Sequence, residues 1–130
     1  MTSPYTYQFL DDAPIVVFTP NADYRIGTDH AASTKALLDI LDQSARPLVY
    51  IADLQGLRYD IDEIMAGAST VSRGKNPTYH HPNMKKLIVV TTDDGLIQSY
   101  QGLDNPIFGN VHAYIYSTLD DALADAYASI

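Results

Sequence analysis

Apolar positions along the 130-residue chain follow two different periods. Leu48, Val49, Tyr50, Ile51, Ala52 and Leu54 form a nearly unbroken run, and Lys86–Val90 (KLIVV) forms a second. A strand with one wet face alternates, whereas a continuous run marks a strand covered on both faces, as in a parallel sheet flanked by helices. Val111–Tyr116 (VHAYIY) reads as the last strand. Tyr5–Leu10 and Ile15–Phe18, joined by Asp11–Pro14, read as a hairpin, and a short further strand is expected at Tyr24–Ile26.

Helical spacing fills the intervals. Ala31, Thr34, Leu37, Leu38 and Leu41 predict the buried side of a helix over 30–43, capped by Thr28 or Asp29. Ile61, Ile64, Met65, Ala68 and Val71 place an apolar stripe on a helix over 61–73. Leu96, Ile97 and Tyr100 mark the inward side of a short helix within Asp93–Gly102. Leu119, Ala122, Leu123, Ala126, Tyr127 and Ile130 give the stripe of a final helix, capped by Ser117 or Thr118. The order is a hairpin followed by α-β-α-β-α-β-α. It predicts one α/β domain over 1–130, with a mixed sheet and right-handed crossovers.

The stretch RPLVYIADLQGLRYDIDEIMAG, residues 46–67, holds the most local information. Pro47 is tolerated where the strand begins. Asp53 sits near the strand's carboxyl end, and Gly56 allows a positive φ should the turn need it. Asp60 and Glu63 have the spacing of a capping box. Acids in a first turn satisfy orphan amides and complement the helix dipole, which is the structural explanation of Asp60, Asp62 and Glu63. The functional explanation is an acidic recognition knob on a strand–helix turn.

Charge narrows the function. The formal net charge is −8, which argues against nucleic-acid binding, since that runs on Lys and Arg against phosphates. Glu63 is the only Glu among 16 acids, and Asp suits caps and turns better than helix interiors. No acid falls between Ile64 and Thr92, where Arg73, Lys75, Lys85 and Lys86 make a window of +4; the remainder is −8 − 4 = −12. With His80 and His81 these form a secondary basic patch. Meeting of the basic window with the acidic remainder, and an open strand edge in the Tyr-rich hairpin, suggest a homodimer.

Cys is absent, so disulfides, thiol catalysis and thiolate metal sites are excluded. No apolar run approaches 18 residues and the N-terminus lacks a signal-peptide pattern, so the expected location is cytoplasmic, without a membrane span. Walker, G-x-S-x-G and G-x-G-x-x-G patterns do not occur. His80 and His81 are adjacent, which seldom suits one metal, while His30 and His112 are isolated. Asp53, Asp60, Asp62, Asp93 and Asp94 gather near strand carboxyl ends and carry the chemistry of a Mg²⁺ site, but four of them also fit helix-start or turn roles. A receiver-like phosphoacceptor is disfavoured because a strand follows Asp11–Asp12 and the last strand ends without Lys. The expectation is no cofactor, no metal and no catalysis. Ten Tyr suit core and sheet-rim packing, with a Tyr-lined ligand cleft or dimer face as the alternative.

The strand and turn LVYIADLQGLRYDIDEI, the strand KKLIVV, the helix DDGLIQSYQGL and the ending STLDDAL resemble the STAS domain, the anti-sigma-factor-antagonist or SpoIIAA-like fold. The resemblance spans most of residues 14–130. It implies a non-enzymatic regulatory or protein-interaction domain with an unidentified protein partner. The loops at the strand carboxyl ends, where this architecture is concave and exposed, make Asp53, Gly56, Asp60, Asp62 and Glu63 the expected contact, with the Asp93–Asp94 turn beside them. Antagonist members open the functional helix with Asp and a phosphorylatable Ser. Here those positions fall at Ile61 and Asp62, and no Ser or Thr lies within Leu57–Ala68. A phosphoserine switch therefore does not carry over, and Asp62 would supply at most a fixed single charge. The alternative reading is a small-molecule or lipid-binding module using a cleft between helices and sheet.

Overall fold

Val49 and Ile51 have no solvent exposure, and neither do Ile88 and Val90 beside them. The computed structural model, which describes residues 4–10, 12–57, 78–106 and 110–130, shows why. The described elements are β1 (Tyr5–Phe9), β2 (Ile15–Pro20), α1 (Ile26–Gln43), β3 (Leu48–Asp53), β4 (Met84–Val90), α2 (Asp94–Gln101), β5 (Ala113–Tyr116) and α3 (Leu119–Ala128). Among the described residues the sheet has five strands in the order β1-β2-β3-β4-β5. β1 is antiparallel to β2, and all other neighbours are parallel. The expected α/β class, the hairpin and the three adjacent parallel strands are thus present. The helix expected over 61–73 lies outside the described residues.

Strand pleating sends alternate side chains to opposite faces. On one face Val16, Phe18, Leu48, Tyr50, Ala52, Leu87 and Val89 pack with Leu37 and Leu41 of α1 and Leu96 of α2. On the other Ile15, Val17, Val49, Ile51, Ile88 and Val90 pack with Ala122 and Ala126 of α3. Burying each large aliphatic side chain contributes about 1.5–3 kcal/mol, and both faces of β3 collect it.

α1 begins earlier than its sequence pattern implied. Its N-cap is Arg25, which supplies no side-chain cap, and the expected strand at Tyr24–Ile26 does not form. Asp29, expected as the cap, lies within the first turn, where its carboxylate accepts the Arg25 amide at 2.8 Å. That bond satisfies a backbone donor that a strand would otherwise have to pair. The buried stripe is also rotated: Ala31 is exposed, and Ser33 is buried with Leu37 and Leu41. Ser33 can occupy the core because its hydroxyl donates to the His30 carbonyl at 3.0 Å and meets the Tyr24 phenol at 2.8 Å. At the far end, the Asn83 side-chain amide donates to the carbonyls of Leu41 and Ser44 at 2.8 and 3.1 Å, covering helix-end acceptors.

Thr118, one of the two expected caps, accepts the Asp121 amide at 3.2 Å, and Asp93, at the start of the expected short helix, accepts the Leu96 amide at 2.9 Å. Two boundaries differ. β5 starts at Ala113, because the amide of Val111 bonds the Leu103 carbonyl at 2.9 Å and stays out of the ladder. α3 buries a narrower stripe than predicted: Ala122 and Ala126 face the sheet, while Tyr127 and Ile130 are 42% and 50% exposed. Ile130 lies past the helix end, and the Tyr127 phenol instead donates to Asp12 at 3.0 Å.

Candidate interaction surface

The parallel strands end together on one side of the molecule. Asp53, the last residue of β3, is in register with Val90 of β4, and the Leu54 amide donates to the Val90 carbonyl at 3.0 Å. A turn follows, closed by the Leu57 amide on the Leu54 carbonyl at 3.1 Å. The Asp53 carboxylate accepts from the Gln55 backbone and side-chain amides at 3.4 and 3.1 Å. No cation among the described residues pairs with it. Gly56 does not adopt a positive φ, and a Cβ there would meet only the Pro20 carbonyl at an ordinary 3.8 Å. The left-handed conformation that the sequence left open is not used.

β4 delivers two more acids to the same end. Thr91 is buried; its amide donates to the Tyr116 carbonyl and its hydroxyl accepts the Asp93 amide, at 2.9 and 3.1 Å. This fixes the chain where Asp93 caps α2 and Asp94 enters its first turn. Asp53, Gln55, Gly56, Asp93 and Asp94 therefore share one rim, where open α/β sheets are concave and exposed. Asp60, Asp62 and Glu63 lie outside the described residues.

The secondary basic patch is at the other end, and it divides. Arg73 and Lys75 lie outside the described residues. His81 is structural: Nε2 meets Asp42 Oδ1 at 2.7 Å and Nδ1 accepts the Asn83 amide at 3.0 Å. Lys86 is ion-paired to Asp125, with both side chains less than one-fifth exposed. It also donates to Ser129 at 3.0 Å and sits 4.0 Å above the centre of the Tyr114 ring. Burial tends to raise the Asp125 pKa, but hydrogen bonds from Lys86, Tyr116 and Ser129 outweigh it and hold the carboxyl below its usual range. His80 and Lys85 are exposed and have no hydrogen-bond or ion-pair partner among the described residues.

The tyrosines divide between core and rim as expected: Tyr24 and Tyr50 are buried, Tyr7, Tyr79 and Tyr100 are half-buried against the same core, and Tyr114 and Tyr127 are exposed. Tyr50 is buried on β3, and burial pushes its phenol pKa well up, as it does for Tyr79. Burial raises Tyr100 to about 12, against the opposing hydrogen bond from Tyr79. Tyr7 and Tyr24 are shifted up by burial too. Among the described residues no group of three or more His, Cys, Asp or Glu is placed to hold a metal. No helix among them is long and apolar enough to cross a membrane.

Two features had no sequence signal. The β3–β4 register slips at Leu48/Val49, with Leu48 opposite Met84 and Val49 opposite Lys86, so Lys85 is an extra, bulged residue. Asn110 has φ 56°, a left-handed conformation that Asn tolerates better than most residues. Both residues line a cavity of about 410 Å³ at the foot of β4 and β5. A second concavity of about 580 Å³ lies nearby, between Pro14, Pro47 and Pro82.

With this geometry in hand, comparison with known proteins defines a fold class. The chain has a SpoIIAA-like α/β fold. It is similar to the crystal structure of an uncharacterised protein of the DUF3478 family with a SpoIIAA-like fold, from Shewanella loihica PV-4. The TM-score is 0.61 at 13% identity, covering 97% of this chain and 98% of the other. No family model matches the chain, and no curated protein matches it.

Proposed function

We propose that the chain is a non-enzymatic regulatory domain that works by protein interaction through the rim at the carboxyl ends of β3 and β4. The observation that carries this reading is Asp53. It is held in place by the β3–β4 ladder and the Gln55 amides, yet its charge is answered by no described cation. A carboxylate oriented by its own turn and without a cation partner among the described residues suits recognition of a basic partner surface, where charge complementarity sets orientation and partner choice. Asp93 and Asp94 extend the surface, while Asp60, Asp62 and Glu63 join the proposal on their sequence alone. The SpoIIAA-like fold supports the reading by analogy. Cells producing the chain with a photo-crosslinking residue at Gln55 test it, by asking whether a discrete heteromeric adduct forms.

Self-association is a second reading, favoured by Phe9, which is 54% exposed at the end of edge strand β1. Edge strands that present apolar side chains invite pairing with another chain. Light scattering of the wild type and of Phe9→Lys at tens of micromolar checks it: a dimer mass lost on substitution supports the reading, and a monomer mass for both rejects it.

A further inference from the structure

We propose that the cavity at the foot of β4 and β5 binds a small organic monocarboxylate with an apolar body, anchored by Lys85. The site is at the opposite end of the parallel strands from the Asp53 rim and does not depend on the reading of that rim.

The cavity's volume of about 410 Å³ falls within the range of small-molecule sites, about 300–1,000 Å³. Its lining combines two chemistries. Met84, Leu87 and Val111 are apolar, whereas His80, Lys85 and Asn110 bring polar groups. This combination of apolar wall and a few convergent polar groups is what fixes the orientation of a small ligand.

Lys85 is the natural anchor for three reasons. It is the extra residue of the β3–β4 bulge. Bulges re-aim side chains and are uncommon between parallel strands, so this one asks for an explanation. Its ammonium has no partner among the described residues, in a chain of net charge −8 with many carboxylates to offer. Lys86, next in sequence, contrasts with it: Asp125 and Ser129 already take its ammonium. One uncompensated ammonium matches one carboxylate. A phosphate dianion would call for more charge or a fork-shaped donor, and no Arg among the described residues lines the cavity.

The remaining polar groups complete the arrangement. The Asn110 carboxamide makes no hydrogen bond among the described residues, leaving its NH₂ able to donate. The His112 ring packs edge-on against Tyr114, with centroids 4.4 Å apart and planes at 76°, forming a side wall. Asp104 lies 3.7 Å from His112 Nδ1, with both side chains more than half exposed, and Asp125 is taken by Lys86, so each of these acids has a partner other than Lys85.

The test is an NMR titration of the full ¹⁵N-labelled chain with phenylacetate, and with phenylacetamide as its neutral counterpart. Phenylacetate is expected to give saturable shifts at Lys85, Asn110 and His112 with a Kd of about 0.1–5 mM, reasonable for a ligand of about ten non-hydrogen atoms. Phenylacetamide should bind at least about fivefold more weakly, as loss of a charge-assisted contact implies. Lys85→Gln should abolish that preference and Lys85→Arg should keep it, with the rest of the spectrum unchanged in both. The proposal is overturned by any of three results: no saturation below about 20 mM, shifts centred away from these residues, or an unchanged carboxylate preference in Lys85→Gln.

Discussion

The phenol of Tyr7, on edge strand β1, donates a 2.6 Å hydrogen bond to the backbone carbonyl of Ser33 in the middle of α1. The Ser33 hydroxyl meanwhile meets the phenol of Tyr24 at 2.8 Å. One helical residue therefore ties down both the strand before it and the segment that leads into its own helix. Around these bonds Tyr5, Tyr7, Phe18 and Tyr24 form an aromatic group, with centroid separations of 5.1 Å for Tyr7–Phe18 and 6.1 Å for Tyr5–Tyr24. Among the described residues β1 has β2 as its one strand neighbour, so this contact holds the hairpin onto the helical layer.

Removing the donor should be felt modestly. Tyr7→Phe keeps the ring packing and loses one hydrogen bond, with an expected cost of about 1 kcal/mol. Ser33→Ala removes the partner of the Tyr24 phenol and should cost about 1–3 kcal/mol, because a buried polar group is left unpaired. Urea unfolding of the two variants checks both the sizes and their order.

The buried and half-buried phenols predict the alkaline limit of stability. Tyr7, Tyr24, Tyr50, Tyr79 and Tyr100 all have folded-state pKa values raised by burial above the ordinary 10.0. A raised pKa means that the unfolded chain loses its protons first. The stabilising contribution is thus complete below pH 10 and is lost as pH rises beyond it. Phenolate absorbance should show these tyrosines ionising together with unfolding, and not as a separate earlier step.

The acid side is governed in part by the Lys86–Asp125 pair. Asp125 has a folded-state pKa below its ordinary 3.8, so its contribution is present above that pH and is lost as pH falls through the lower folded value. Asp125→Ala leaves Lys86 largely buried without its counter-charge and should cost about 2–3 kcal/mol at neutral pH. Asp125→Asn should flatten the acid end of the stability–pH curve. His30, whose pKa burial lowers, acts in the same direction at higher pH, its contribution fading as pH drops below 6.5.

Strands with continuous apolar runs were the most legible part of the fold, because Leu48–Leu54 and Leu87–Val90 have a single physical solution, burial on both faces. Helix ends were less so. At α1 the first turn is held by Asp29 reaching back to Arg25, and Ile26 and Gly27 carry no pattern that distinguishes a helix start from a strand end. Ser33 was invisible as a core residue because its burial depends on Tyr24 and Tyr7, contacts that exist only in three dimensions. For the candidate site, Asp53 was placed correctly at its strand end. The extra residue at Lys85 could not be seen, because a bulge is a property of a strand pair.

Asp62 offers a sequence-based test of the same surface. Asp60 and Glu63 already have the spacing to cap their helix, so Asp62→Asn should change stability by about 0.5 kcal/mol or less. It should weaken partner binding by about 1–3 kcal/mol if its charge is desolvated on contact. A clear loss of stability with binding intact would show that the acids serve only the helix start.

Site-specific photo-crosslinking tests the proposed rim most directly. The probe is placed at Gln55, beside Asp53, and as a control at Asp39, exposed on α1 and away from the strand ends. The account predicts a discrete heteromeric adduct from position 55 that is lost with Asp53→Asn, and none from position 39. No adduct from position 55, or equal adducts from both positions that survive Asp53→Asn, would contradict it.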